Sequence, residues 1–163
     1  LQWQTHLQWD NLDSIVKIMN FKNSIKVCLK DKYANFSGRA SRSEFWFFYV
    51  FLLIGYAISI FTMFISIKLF IGIISIYVLG MIIPSLAVTV RRLHDVNKSG
   101  WFILLPLPFE IMQRALEESS PNLSLVFLVM SLGLYIYLLV LYCKDGDKKD
   151  NRFGKNIYKN KRK

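Results

Sequence analysis

The chain has 163 residues, of which 53% are hydrophobic and 20% are charged, and its formal net charge is +10. Between Phe45 and Val90 the only Lys, Arg, Asp or Glu is Lys68. A soluble domain of this length has too small an interior to hide so long an apolar stretch, so the composition excludes an ordinary soluble fold and predicts insertion into a bilayer. The basic residues flank the apolar stretches, which indicates contact with anionic lipid head groups and argues against nucleic-acid binding.

The N-terminal part contains two segments of different character. Residues 1–18 are polar and aromatic with no apolar core, so they do not have the pattern of a signal peptide. We expect the natural start to be Met19, which would make residues 1–18 a doubtful leader upstream of it. In residues 20–33, apolar positions such as Phe21 and Cys28 recur at helical spacing, with lysines between them. This pattern is typical of an amphipathic helix on an anionic membrane surface, and an ordinary packing helix fits it equally well.

The first two membrane spans are predicted to form a tight hairpin. Ser41 and Glu44 have the spacing of a capping box, which predicts a helix start just before the apolar stretch 45–67. At 1.5 Å per residue that stretch is about 34 Å long, enough to cross a hydrocarbon core. A second apolar stretch, 69–90, follows Lys68 directly, so the chain must reverse there, and Pro84 is expected to bend this second helix.

The distribution of basic residues decides whether the third apolar segment crosses. Residues 101–116 are short for a span and contain two prolines, whereas residues 123–143 have no charge and ample length. Nineteen of the 21 Lys and Arg residues lie before the first span, between the second and third segments, or after the last. All three groups share one side only if 101–116 crosses, so the positive-inside bias predicts four spans with both termini in the cytoplasm.

The predicted fold is therefore an all-α polytopic membrane protein. It has four transmembrane helices, the third short and kinked, and an N-terminal amphipathic interfacial helix. Residues 19–156 form a single membrane domain, and 157–163 form a basic mobile tail.

Three polar segments, residues 38–46, 91–101 and 146–154, are expected to meet at the cytoplasmic face. If the second membrane helix continues into residues 91–95, Arg91 and Arg92 lie four and three residues before Asp95 on that helix. One carboxylate could then orient both guanidinium groups. One interpretation is a face that binds an anion, an anionic phospholipid or a partner protein. The alternative is that the arginines set topology and an Arg–Asp pair fixes a helix end. The candidate face comprises Arg39, Arg42, Arg91, Arg92, His94, Asp95, Lys98, Trp101 and Arg152.

The sequence contains no nucleophile paired with a base and no glycine-rich phosphate loop. No metal or cofactor is expected, because His94 and Asp95 are adjacent and the other histidine, His6, lies in the leader. The leading hypothesis is a non-enzymatic membrane protein. The alternative is a subunit of an oligomeric small transporter or export system that self-associates through a face such as that of Gly55 and Ser59. A third possibility is an enzyme that acts on phosphate-bearing lipids through His94 and Asp95.

Three motifs, FSGRASRSEFW, RRLHDVNKSGW and GDKKDNRFGKN, occur in this order along residues 36–156. Together they resemble the bacterial family called domain of unknown function 805, whose members are small inner-membrane proteins. The resemblance covers residues 19–156 and implies a multi-pass protein of the inner, or plasma, membrane with no established activity and no catalytic residue to transfer. The acidic insert from Glu117 to Asn122 departs from the common pattern, because it divides the apolar stretch after the Trp turn into two limbs.

Overall fold

The computed structural model describes residues 20–158, and in that part of the chain the secondary structure is helical apart from an isolated β-bridge between Asn151 and Gly154. This confirms the all-α class there. The predicted leader, residues 1–18, and the end of the predicted tail, residues 159–163, lie outside the described residues.

The N-terminal segment packs against the rest of the molecule. Helix α1 (Phe21–Lys26) is capped by the Asn20 side chain and runs directly into a π-helical turn, Val27–Asp31. Cys28 is fully buried in a cluster that also contains Phe45 and Phe48. The segment therefore packs as one of the two interpretations of its pattern expects, and its position on the membrane surface stays a prediction.

Helices α2 (Arg42–Phe61) and α3 (Ile67–Asp95) form the predicted hairpin, joined through a 3-10 turn at Thr62–Phe64. The Ser41 hydroxyl accepts from the Glu44 amide at the start of α2, which is one half of the predicted capping box, whereas the Glu44 carboxylate accepts from Arg91. Helix α3 runs through Pro84 without interruption. Its 29 residues extend for about 43 Å, so it is longer than the hydrocarbon layer is thick.

Gly55 and Ser59 make contacts within the chain. The Tyr77 ring packs over Gly55, where an added Cβ would lie 2.6 Å from the tyrosine oxygen, and the Tyr77 hydroxyl donates to the Leu52 carbonyl at 2.8 Å. Ser59 is buried and its hydroxyl donates to the Gly55 carbonyl. Within the chain, α3 thus occupies the position beside Gly55, and the self-association suggested for these two residues stays a prediction.

The predicted third span is broken into a 3-10 turn, Gly100–Leu104, and helix α4 (Leu107–Leu116), and it is followed by α5 (Pro121–Cys143). The segment runs antiparallel to α5 along much of that helix. Near the α4–α5 connection the Ser124 hydroxyl donates to the Gln113 carbonyl at 3.0 Å. Towards the other end, Phe102 and Ile103 pack on a buried cluster that includes residues of the last turns of α5.

Three helical segments are long and apolar enough to cross a membrane: Arg42–Phe64, Ile67–Asp95 and Pro121–Cys143. Their outer faces present large apolar side chains, such as Ile76, which is 75% exposed. Such a surface is suited to lipid and not to water. The described residues thus contain three candidate membrane-spanning helices, as expected of an integral membrane protein, and residues 101–116 are not among them.

Candidate functional site: a buried arginine network

The three polar segments singled out in the sequence meet at one end of the helices. The Ala40 amide donates to the Arg91 carbonyl at 3.0 Å, which joins the first segment to the end of α3. The Asp147 amide donates to the Asp95 carbonyl at 2.8 Å, which joins the third segment to the same place. The arginine network is the set of charged side chains buried where they meet: Arg39, Glu44, Arg91, Arg92 and Asp95.

Asp95 is the centre of the network. Its Oδ1 atom accepts from Nε of Arg39 at 2.9 Å, and its Oδ2 atom accepts from Nη1 of Arg92 at 2.5 Å. One carboxylate thus holds two guanidinium groups, as the sequence suggested, and its i, i+3 partner is the predicted one. The other guanidinium comes from Arg39, 56 residues away, and not from Arg91.

Both guanidinium groups on Asp95 also bind backbone carbonyls, those of the end of α5 and of the residues that follow it. Arg92 donates through Nε to the Tyr142 carbonyl at 3.1 Å and through Nη2 to the Lys144 carbonyl, at the end of α5. Arg39 donates through Nη1 to the Lys149 carbonyl at 2.8 Å, and through Nη2 to that of Asp147. The last carbonyls of a helix have no partners within it. Arg92 therefore satisfies free carbonyls at the end of α5. Together with Arg39 it joins residues 142–149 to Asp95 of α3.

Arg91 makes a separate connection, to the N-terminal side. Its Nη2 atom lies 2.9 Å from Oε1 of Glu44, and its Nη1 atom donates to the carbonyls of Lys32 and Asn35 at 3.1 and 2.8 Å. Among the described residues its Nε atom is the one buried side-chain donor without a partner. Glu44 thus has a role beyond the capping motif: its carboxylate neutralises a buried arginine.

Gly146 and Tyr158 complete the surroundings of Asp95. The Tyr158 hydroxyl donates to Oδ2 of Asp95, so this residue of the predicted tail is held against the network. A Cβ at Gly146 would lie 2.5 Å from Cγ of Asp95 and 2.6 Å from the Tyr158 oxygen. Only glycine fits there. Burial raises the pKa of Tyr158 above its usual range, and the hydrogen bond to Asp95 adds to the increase, so the hydroxyl stays protonated and donating at neutral pH.

His94 lies at the edge of the network, half-buried. Its Nδ1 atom is 3.1 Å from the Gly38 carbonyl, which can only accept, so the proton is on Nδ1. The Phe153 ring stacks on the imidazole with centroids 3.9 Å apart, and the side-chain Nδ2 of Asn151 donates to the His94 carbonyl at 2.9 Å. The NRFG motif thus covers the histidine of the RRLHD motif.

The structure divides the nine predicted site residues into two groups. Arg39, Arg91, Arg92 and Asp95 are buried in ion pairs, contrary to the expectation that they belong to an open face. The residues that reach the surface around the network are Arg42, His94, Lys98, Trp101 and Arg152.

Among these outer residues the charges are unequally satisfied. Arg42 pairs with Asp145 at 2.7 Å in an exposed contact. Arg152 lies 4.7 Å from the Phe153 ring centroid, and Lys98 lies 5.4 Å from that of Phe102. Neither has a carboxylate within 4.0 Å in the part of the chain that the structure describes.

At this end of the protein, ion pairs and hydrogen bonds hold the polar segments together. Within residues 20–158 no three His, Cys, Asp or Glu side chains are placed to hold a metal ion. Burial raises the pKa of the Cys28 thiol to about 12, so this thiol remains protonated and is a poor nucleophile at neutral pH.

Sequence reasoning did not identify Gly146 or Tyr158, and it treated Glu44 only as a capping residue. Gly146 stands in a polar stretch where a flexible glycine is unremarkable, and no local pattern reveals close packing on Asp95. Tyr158 did carry a signal, because a lone aromatic residue in a Lys- and Asn-rich stretch is a natural anchor.

The chain is similar to the proteins of one known family. A family model described as "Protein of unknown function (DUF805)" matches residues 33–155. The chain is 30% identical to inner membrane protein YhaI of Escherichia coli strain K12 over 125 residues, covering 75% of this chain and 85% of that protein. It is 28% identical to inner membrane protein YhaH of the same strain over 126 residues, covering 75% and 86%. No solved structure matches the chain significantly.

Proposed function

Because the chain belongs to the DUF805 family and its relatives are inner-membrane proteins, we propose that it is a non-enzymatic protein of that membrane whose cytoplasmic end binds anionic phospholipid. The observation that carries the proposal is the group of outer residues Lys98, Trp101 and Arg152. The two cations have no carboxylate partner among the described residues, and they accompany a tryptophan that is 77% exposed. Exposed cations beside an interfacial tryptophan suit a surface of anionic head groups.

The proposal includes four membrane crossings with both ends in the cytoplasm. Its support is the path of the chain. Residues 91–100 and 144–154 lie at the same end of the helices, held together by the arginine network, whereas α5 begins about 34 Å away from that end. Residues 101–116 run antiparallel to α5 and so cover much of that distance. Placing the end rich in Lys and Arg in the cytoplasm follows the positive-inside bias.

The lipid proposal is tested with the full chain reconstituted in mixed bilayers. Electron-spin resonance of spin-labelled lipids gives the selectivity of the protein for phosphatidylglycerol over phosphatidylcholine. Replacing Lys98 and Arg152 with alanine should lower that selectivity by about fivefold or more, since one basic side chain near an anionic surface contributes about that factor. The matched control is Lys148→Ala with Lys149→Ala, which removes two exposed cations from the same end of the protein.

The control variant should retain most of the selectivity. An equal loss in both variants would show that the attraction is a diffuse charge effect, and no loss in the Lys98 and Arg152 variant would refute the proposal.

A further inference from the structure

A cleft of about 360 Å³ lies between the last turns of α3 and the 3-10 turn Gly100–Leu104. Its apolar walls include Leu86 and Val90 from α3 and Leu104 from the turn, and His94 and Trp101 also line it. The volume is in the range of sites that hold small molecules or parts of larger ones. Nothing in the arginine network uses this cleft.

Gly100 brings the two walls of the cleft together. A Cβ at Gly100 would lie 2.8 Å from Cγ1 of Val90, so the close contact between the turn and α3 requires a residue without a side chain. The glycine of the Ser-Gly-Trp turn therefore shapes the cleft.

The cleft stands at the boundary between hydrocarbon and head groups. Val90 is the last residue of the long apolar stretch of α3, and the polar residues of the RRLHD motif follow it directly. Leu86 and Leu104 are both partly exposed at the outer surface, and Trp101 has the exposure expected of an interfacial anchor. An occupant would thus meet apolar walls on one side and polar groups on the other.

One lining residue of the cleft, His94, and a cation near it, Arg152, can serve a phosphate, although Arg152 itself does not line the cleft. His94 directs its Nδ1 proton to the Gly38 carbonyl, and among the described residues no hydrogen bond engages its Nε2 atom. Nε2 donates only when the ring carries a second proton, and a phosphate beside it favours that protonated form. Phe153 stacks on His94, and the guanidinium of Arg152 lies 4.7 Å from the Phe153 ring centroid. Arg152 donates to the Asn97 carbonyl at 3.5 Å and is not neutralised by a carboxylate within the described chain.

We propose that this cleft holds one acyl chain of an anionic phospholipid, with the phosphate beside His94 and Arg152. The inference rests on the proposed function and deepens it, because it assigns one lipid to one site in place of a general attraction. Apolar walls give a free phosphate nothing to bind, whereas a fatty acyl chain fills them and gains from burial. The uncompensated charge of Arg152 selects a lipid with a negative head group.

The test is native mass spectrometry of the full chain in mild detergent, supplied with equal amounts of phosphatidylglycerol and phosphatidylcholine. The wild-type protein should retain one phospholipid per chain and prefer phosphatidylglycerol by about fivefold, the factor expected of one nearby basic side chain. Leu104→Trp and Leu86→Trp, which fill the cleft from opposite walls, should each reduce the retained lipid by about tenfold, the factor for the loss of roughly two buried methylene groups.

Ile76→Trp adds the same bulk to an exposed position of α3 that does not line the cleft, and it should retain lipid as the wild type does. If both cleft variants, shown by circular dichroism to be folded, keep the bound lipid and its selectivity, the cleft assignment is overturned while the proposed function stands. If the wild type retains lipid without preferring phosphatidylglycerol, the anionic assignment is overturned and the proposed function fails with it.

Discussion

The contacts of Asp95 show that the buried arginines of the network hold the fold together. Two guanidinium groups, from Arg39 and Arg92, share its carboxylate inside the protein, and backbone carbonyls take their remaining donors. Burying charges is costly, and removing one member of a buried pair costs about 3–5 kcal/mol because the other is left uncompensated. Alanine at Arg91 or Arg92 would therefore damage the fold before it tested any ligand, and tests of binding belong at Lys98 and Arg152.

The sharpest test of the network at the residue scale is Gly146→Ala. The new methyl group would collide with the carboxylate of Asp95 and with the hydroxyl of Tyr158, both of which are fixed by other contacts. We expect a loss of about 1–3 kcal/mol in the free energy of unfolding, the usual cost of overpacking. The measurement is thermal unfolding in detergent, followed by circular dichroism.

Gly133→Ala is the matched control, because a Cβ at Gly133 in α5 meets nothing within 4 Å. Alanine should stabilise that helix by about 0.5–1 kcal/mol, since glycine is the poorer helix former. If the two substitutions shift the melting temperature alike, the close packing of Gly146 on Asp95 is wrong.

At the scale of elements, the sequence predicts what depends on neighbouring residues. The α2–α3 hairpin follows from two apolar stretches separated by Lys68, and the Arg92–Asp95 pair follows from helical spacing. The pairs Arg39–Asp95 and Arg91–Glu44 join residues about 50 positions apart, and no local pattern encodes such partners. Burial of the arginines was equally hidden, because cations at the end of a span ordinarily face head groups or water.

The C-terminal segment, residues 145–158, acts as an element in its own right because it supplies partners to Arg39 and Asp95. Ending the chain after Lys144 should leave buried donors of Arg39 without acceptors, each at a cost of about 1–3 kcal/mol. We expect the truncated protein to insert into the membrane but to unfold at a clearly lower temperature. Ending the chain after Tyr158 keeps every described contact, so this truncation should melt at a clearly higher temperature than the one after Lys144. Equal melting of the two truncations would show that the segment does not brace α3.

At the scale of the whole molecule, the two cysteines and the acidic loop provide a test of topology. Cys143 is exposed at the end of α5, and Cys28 is buried with a pKa of about 12. With four crossings, Ser119, in the loop before α5, lies on the outer side of the inner membrane and Cys143 lies on the cytoplasmic side. A membrane-impermeant maleimide applied to intact cells should therefore label the Ser119→Cys variant, in a chain that also carries Cys143→Ser, and should leave the wild-type protein unlabelled.

Opening the membranes should expose Cys143 of the wild type to the reagent, and denaturation should then add Cys28, because burial keeps its thiol protonated until the fold is lost. The arginine network makes these outcomes interdependent: it ties residues 91–100 to the end of α5, so Cys143 and Arg91 must lie on the same side. Labelling of Cys143 in intact cells would place the basic end outside, against the positive-inside bias. If the Ser119→Cys variant were labelled only in opened membranes, with Cys143 also protected in intact cells, α5 would not cross, and the proposal of four spans would then be abandoned.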